Sequence, residues 1–196
     1  MENIQNAIDV KGEGIFKQAE LFFDDLFLKK LPPLPDNIRD LLVKLAPFWA
    51  ILLIVLAAFS ILLSSLSALF TAFGAVLSIA TLSGSGLISS VLSLVNTIIG
   101  LGLGAIILLY LAKSLKGLFN PAYVGWQSLF RAEVVWVAYS VIAWLFGLLI
   151  LVTLSGFSAI LGVFVTIISL AIQLIIFGAA FYLLFQIKGR YARLNA

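Results

Sequence analysis

The chain has 196 residues, of which 63% are hydrophobic and 11% charged, with a formal net charge of +3 and neither histidine nor cysteine. Soluble domains carry about 25% charged residues, so composition excludes a water-soluble fold. The missing residue types exclude imidazole acid–base chemistry, thiolates, disulfides, His-ligated haem and the usual zinc sites.

Residues 1–45 form an N-terminal region of their own. Acidic Glu2 and Asp9 precede any apolar run, so no cleaved signal peptide is expected and the spans must direct insertion themselves. Residues 15–28 place Ile15, Phe16, Ala19, Phe22, Phe23, Leu26 and Phe27 on one arc of a helix, with Lys17, Gln18, Glu20, Asp24 and Asp25 opposite. This predicts an amphipathic helix with an aromatic face. That face either lies on the membrane or a partner, or folds back onto the chain's own cytoplasmic side; the first is favoured, because a mostly membranous chain offers little soluble core to cover it. Pro32, Pro33 and Pro35 end the helix. Asp36 then caps a short second helix in which Ile38, Leu41, Leu42 and Leu45 repeat at helical spacing and Asp40 can pair with Lys44.

A first hairpin is expected over residues 46–117. Residues 45–112, 68 positions, carry no charge, and residues 134–187, 54 positions, again carry none. A charge at mid-bilayer costs several kcal/mol and about 20 apolar residues span the hydrocarbon, so each block can cross, turn and cross back. Thr81-Leu82-Ser83-Gly84 recurs as Thr153-Leu154-Ser155-Gly156. At the same offset of 72 residues Ile88 meets Ile160, Val91 meets Val163, Tyr110-Leu111 meets Tyr182-Leu183 and Lys116-Gly117 meets Lys188-Gly189. This suggests two copies of one hairpin inserted in parallel. The expected spans are 55–81, 88–112, 132–153 and 159–187, with Pro47 to Ala58 entering at the interface or lengthening a tilted first helix.

The second hairpin and a basic tail occupy residues 118–196. Lys113, Lys116 and Gly117 read as a helix end with a left-handed residue, and Asn120-Pro121 as the cap and first turn of the next helix. Every basic residue lies in residues 1–44, in 113–131 or in the tail from Lys188, while the two outer turns have none. The positive-inside rule therefore puts both termini in the cytoplasm. Tyr123, Trp126 and Phe130 are expected at headgroup depth. The segments Gly117-Leu118-Phe119, Gly125-Trp126-Gln127-Ser128-Leu129-Phe130 and Leu184-Phe185-Gln186-Ile187-Lys188 resemble those of a group of small uncharacterised bacterial four-span membrane proteins. The resemblance implies a bacterial cytoplasmic membrane and carries no activity with it.

The expected fold is all-α: an integral membrane four-helix bundle of two parallel-repeat hairpins, preceded by the amphipathic helix. No catalytic, cofactor-binding or metal-binding constellation is present, and the scattered basic residues, offset by acids, do not make a nucleic-acid surface. Asn96, Thr97, Ser140, Ser169 and Gln173 fall near mid-depth. They read either as a polar layer on the pseudo-twofold axis or, preferentially, as hydrogen-bonded links between helices. Arg131 and Glu133 flank the third span, as a pair at a cavity mouth or, preferentially, each snorkelling to headgroups. Gly100 and Gly104, and likewise Ser60 and Ser64, have the small-x-x-x-small spacing of close helix packing. The expected function is a non-catalytic scaffold, accessory or assembly subunit in the lipid bilayer, contacting a partner membrane protein or a second copy. Phe16, Phe22, Phe23, Phe27, Trp126, Arg131 and Glu133 are the candidate contacts. The alternative is a small oligomeric channel or carrier for a neutral or apolar solute.

Overall fold

The computed structural model describes residues 14–80, 84–152 and 157–192. Glu2, Asp9 and the turn residues 81–83 and 153–156 lie outside them. Among the described residues all regular structure is helical. Helix α1 comprises residues 14–29, α-helical to residue 24 and closed by a π-turn at Asp25–Lys29. The long helices are α2 (Asp36–Ala80), α3 (Gly84–Phe119), α4 (Tyr123–Val152) and α5 (Phe157–Ala192). These four are long and apolar enough to cross a membrane, which makes the chain a small integral membrane protein.

The helices run up and down, so the charged residues collect at one end, called here the basic end. Helix α3 packs along both α2 and α4, whereas α5 leans on α4 and touches α2 over a shorter stretch. Each helix extends beyond its expected span toward the basic end. Lys113, Lys116, Arg131, Lys188 and Arg190 all sit on helical turns, since a helix satisfies its own backbone as well in the headgroup layer as in hydrocarbon. The short helix expected after Asp36 is the beginning of α2, which passes through Pro47 without a break. Residues 47–58 are therefore part of a continuous helix.

Pro47 has no N–H to offer the carbonyl of Val43, one turn earlier. The buried Tyr191 hydroxyl of α5 donates to that carbonyl at 3.4 Å. Tyr191→Phe leaves a partly buried carbonyl without its donor and is expected to lower stability by about 1 kcal/mol, read as a shift in the thermal unfolding of detergent-solubilised protein.

Gly117 is neither the helix end nor left-handed: α3 continues to Phe119, and no positive φ occurs there. Its role is close approach. A Cβ on Gly117 would stand 2.6 Å from the Gly125 Cα, so the last turn of α3 and the first of α4 touch backbone to backbone. Residues 120–122 bridge them, with Ala122 N–H donating to the Gly117 carbonyl at 2.7 Å and Gly125 N–H to the Ala122 carbonyl at 2.9 Å. Gly100 and Gly104 likewise serve packing inside the bundle. A Cβ on the first would meet the Tyr139 hydroxyl at 2.7 Å, and one on the second would meet Ile61 at 3.0 Å. Ser60 and Ser64 of α2 face this glycine pair across a small cavity of about 70 Å³.

Helix α1 folds back onto the basic end, contrary to the favoured expectation that it contacts membrane or partner. The chain does contain a core to cover its aromatic face: Trp126, Phe130, Phe181 and Phe185, supplied by α4 and α5. Phe23 stacks on Phe181 at 4.4 Å and Phe27 stacks on Phe23 at 5.6 Å. The inward arc is Phe16, Ala19, Phe23, Leu26 and Phe27, while Ile15 and Phe22 remain 60% and 64% exposed.

Candidate functional site

The basic end is organised around Trp126, which is fully buried. Its ring stacks on Phe130 at 5.5 Å with 4° between planes and meets Phe185 edge-on at 5.3 Å. Its indole N–H donates to the Leu184 carbonyl at 2.8 Å. The segments Gly125–Phe130 and Leu184–Lys188 thus meet in space. Trp126 and Phe130, expected at headgroup depth, turn their rings into the bundle, and the polar need of the Trp126 indole is met by the protein.

The last turns of α5 seat the whole N-terminal region. Tyr182 donates to the Pro32 carbonyl at 2.8 Å. The buried Gln186 amide accepts from Leu34 N–H at 3.1 Å and donates to the Phe27 carbonyl at 3.3 Å. Lys188, only 15% exposed along its side chain, binds Glu20 at 2.7 Å and also Asp24. The same ammonium lies over the rings of Trp126 and Phe185 at 5.1 and 5.4 Å. Arg190 reaches Asp36 at 2.8 Å and Asp40 at 3.3 Å. Tyr123 donates its hydroxyl to Glu20. At the exposed margin, a hydrogen bond from Lys29 holds the Asp25 carboxyl below the usual carboxylate range, an exposed contact that adds little.

Lys188→Met removes one partner of a half-desolvated ion pair, and α1 is expected to lose about 2 kcal/mol of docking energy. Hydrogen exchange of residues 16–27 should then accelerate at least tenfold while the spans stay protected.

The mid-depth polar residues do not assemble into one layer. Asn96, Thr97 and Ser140 are half-buried among α3 and α4, but Ser169 and Gln173 are exposed on α5. Thr97 donates within its own helix to the Ser93 carbonyl at 2.8 Å, and Ser169 to the Thr166 carbonyl at 2.8 Å. The Asn96 side-chain oxygen is buried and meets no donor among the described residues. The Trp144 indole N–H links two helices in this zone, donating to the Thr166 carbonyl at 3.2 Å. The helices around the layer are apolar on all sides, so no amphipathic stripe fixes which face turns inward.

Arg131 and Glu133 also part company. The Arg131 guanidinium lies over the Phe16 ring at 5.4 Å, and Phe16 in turn meets Tyr110 edge-on. Glu133 is only 8% exposed and lines a groove of about 310 Å³ whose other walls are Leu42, Leu45, Trp49, Leu183 and Ile187 among others. It does not snorkel, and no hydrogen-bond or charged partner reaches it among the described residues.

Sequence reasoning missed Gln186, Tyr182 and Tyr191 as organisers of the basic end. Tyr182 stands out as a repeat match and Gln186 within the Leu184–Lys188 segment, but the signal for their role is position: polar atoms spaced through the last turns of an otherwise apolar helix. Among the described residues no three His, Cys, Asp or Glu side chains converge as metal ligands. Comparison with protein-family models, with curated proteins and with solved structures found no match to this chain.

Proposed function

We propose that this protein is a non-catalytic assembly subunit that pairs through α5 with a neighbouring span, in the first instance a second copy of itself. The observation that carries the reading is Gln173. Its amide lies exposed near the middle of the Ile160–Tyr191 span, with Ser169 one turn away on the same face. Hydrocarbon offers an amide no hydrogen-bond partner, and desolvating it unpaired costs several kcal/mol. A matching amide on another helix supplies the partner, with a net gain of about 1 kcal/mol per hydrogen bond. The rigid basic end, with α1 seated across it, then travels with the assembly as a platform.

The absence of cysteine makes the test direct. Ser169→Cys should form an oxidative crosslink between copies in native membranes, and adding Gln173→Leu should lower the crosslinked fraction three- to tenfold. Val141→Cys, exposed on α4, should crosslink far less. Equal crosslinking with and without Gln173→Leu overturns the reading. An oligomeric pore would use the same face, and solute flux into vesicles that is lost with Gln173→Leu would favour that alternative.

A further inference from the structure

The groove holding Glu133 opens between α2 and α5, with α4 as its floor. Its volume of about 310 Å³ lies at the lower end of small-ligand pockets, about 300–1,000 Å³. The rim residues Leu45 and Leu183 are exposed on the lipid-facing surface, so entry is lateral, from the bilayer. Glu133 stands about 15 Å along α4 from Tyr123, just inside the apolar zone. Lys44, the nearest cation in sequence to the α2 wall, is exposed and does not line the groove. Glu133 is only 8% exposed, and a carboxylate there, without a donor or cation among the described residues and in an otherwise hydrocarbon wall, is unfavourable as it stands.

The chemistry that answers this arrangement can be narrowed by elimination. A hard metal ion needs several oxygen ligands, and the lining supplies a single carboxylate. A phosphate-bearing headgroup needs several donors or a cation, and the lining offers only the indole N–H of Trp49. A neutral apolar ligand fits the walls but leaves Glu133 without a partner. An ammonium on an apolar body satisfies both. The carboxylate meets the charge, the Trp49 ring, which also lines the groove, offers a cation–π face, and the aliphatic walls take the chain.

We propose that this groove is a binding site for hydrophobic ammonium compounds, alkyl or aryl amines and quaternary ammonium ions, that partition into the bilayer and reach Glu133 from the side. The site is formed within one chain and stands apart from the pairing role assigned to Gln173.

The test uses the full-length protein in nanodiscs of digalactosyldiacylglycerol, a neutral lipid without an ammonium group, with radiolabelled dodecyltrimethylammonium as the probe. Binding should saturate at one probe per chain. Glu133→Gln should weaken it at least tenfold, Trp49→Leu a few-fold, and Val141→Ala, exposed on α4 and outside the groove, not at all, while dodecanol of the same chain length should fail to compete. Uptake that rises linearly with lipid, or a Glu133→Gln protein that binds as the wild type does, overturns the site. Should Glu133→Gln fail to reconstitute, labelling of the wild type with dicyclohexylcarbodiimide decides. The Glu133 adduct, read by mass spectrometry, should fall in the presence of dodecyltrimethylammonium and persist with dodecanol; an adduct equally abundant with both overturns the proposal.

Discussion

Trp126→Ala is expected to destabilise the protein by about 3–5 kcal/mol, the range for deleting a large, fully buried aromatic ring. Three contributions end together. The ring fills the centre of the basic end, so its loss leaves a cavity among Phe130, Phe185 and Leu184 that the long helices cannot collapse. The Leu184 carbonyl loses its indole donor, and Lys188 loses the face beneath its ammonium. Trp126→Phe keeps most of the apolar volume and removes the donor, so it should cost about 1–2 kcal/mol. Unfolding followed by steric trapping or by heating in mild detergent separates the two. If Trp126→Ala unfolds within a degree of the wild type, the ring does not organise the core.

Gly117→Ala and Gly125→Ala should be nearly as damaging, at about 3 kcal/mol each. The atoms that an added methyl meets belong to the backbone of the facing helix, not to a side chain that can swing away. Relief requires the last turn of α3 and the first of α4 to part, which disturbs the hydrogen bonds through Ala122 and shifts Trp126, the next residue along. Gly102 and Gly147 have open space at the same position. Their alanine variants should change stability by no more than about 1 kcal/mol, in the stabilising direction that helix propensity gives. Unfolding midpoints of the four variants measured side by side test the contrast, and equal effects would mean that close approach is not what Gly117 and Gly125 provide.

The residues that read true from sequence did so through one-dimensional signals. Charge-free stretches gave four spans, because a single Lys or Asp in hydrocarbon is prohibitive wherever it points. The Pro32, Pro33 and Pro35 break appears where ring geometry requires it. What misled was azimuth. Trp126 has the depth of an interfacial ring, but only its pairing with Leu184, 58 residues away, shows that it faces inward. Ser169 and Gln173 have the depth of the polar layer and point out of it. In water an apolar stripe would mark the buried face; in a membrane the lipid side is equally apolar, and the stripe vanishes. Glu133 reads from sequence as a side chain snorkelling to headgroups, and the groove around it is created by three helices whose contact no local pattern records.

The seating of α1 on α5 also sets an order of events. Glu20 and Asp24 are joined to Lys188, and Phe27 and Leu34 to Gln186, across more than 150 residues of chain. During synthesis α1 emerges before α5, and its seat on Phe181, Phe185, Gln186 and Lys188 stays incomplete until α5 has been made and inserted. Closure of the basic end is thus a mark of completed insertion. A chain arrested before its last span would lack the Phe181 and Phe185 rings that cover Phe23 and Phe27.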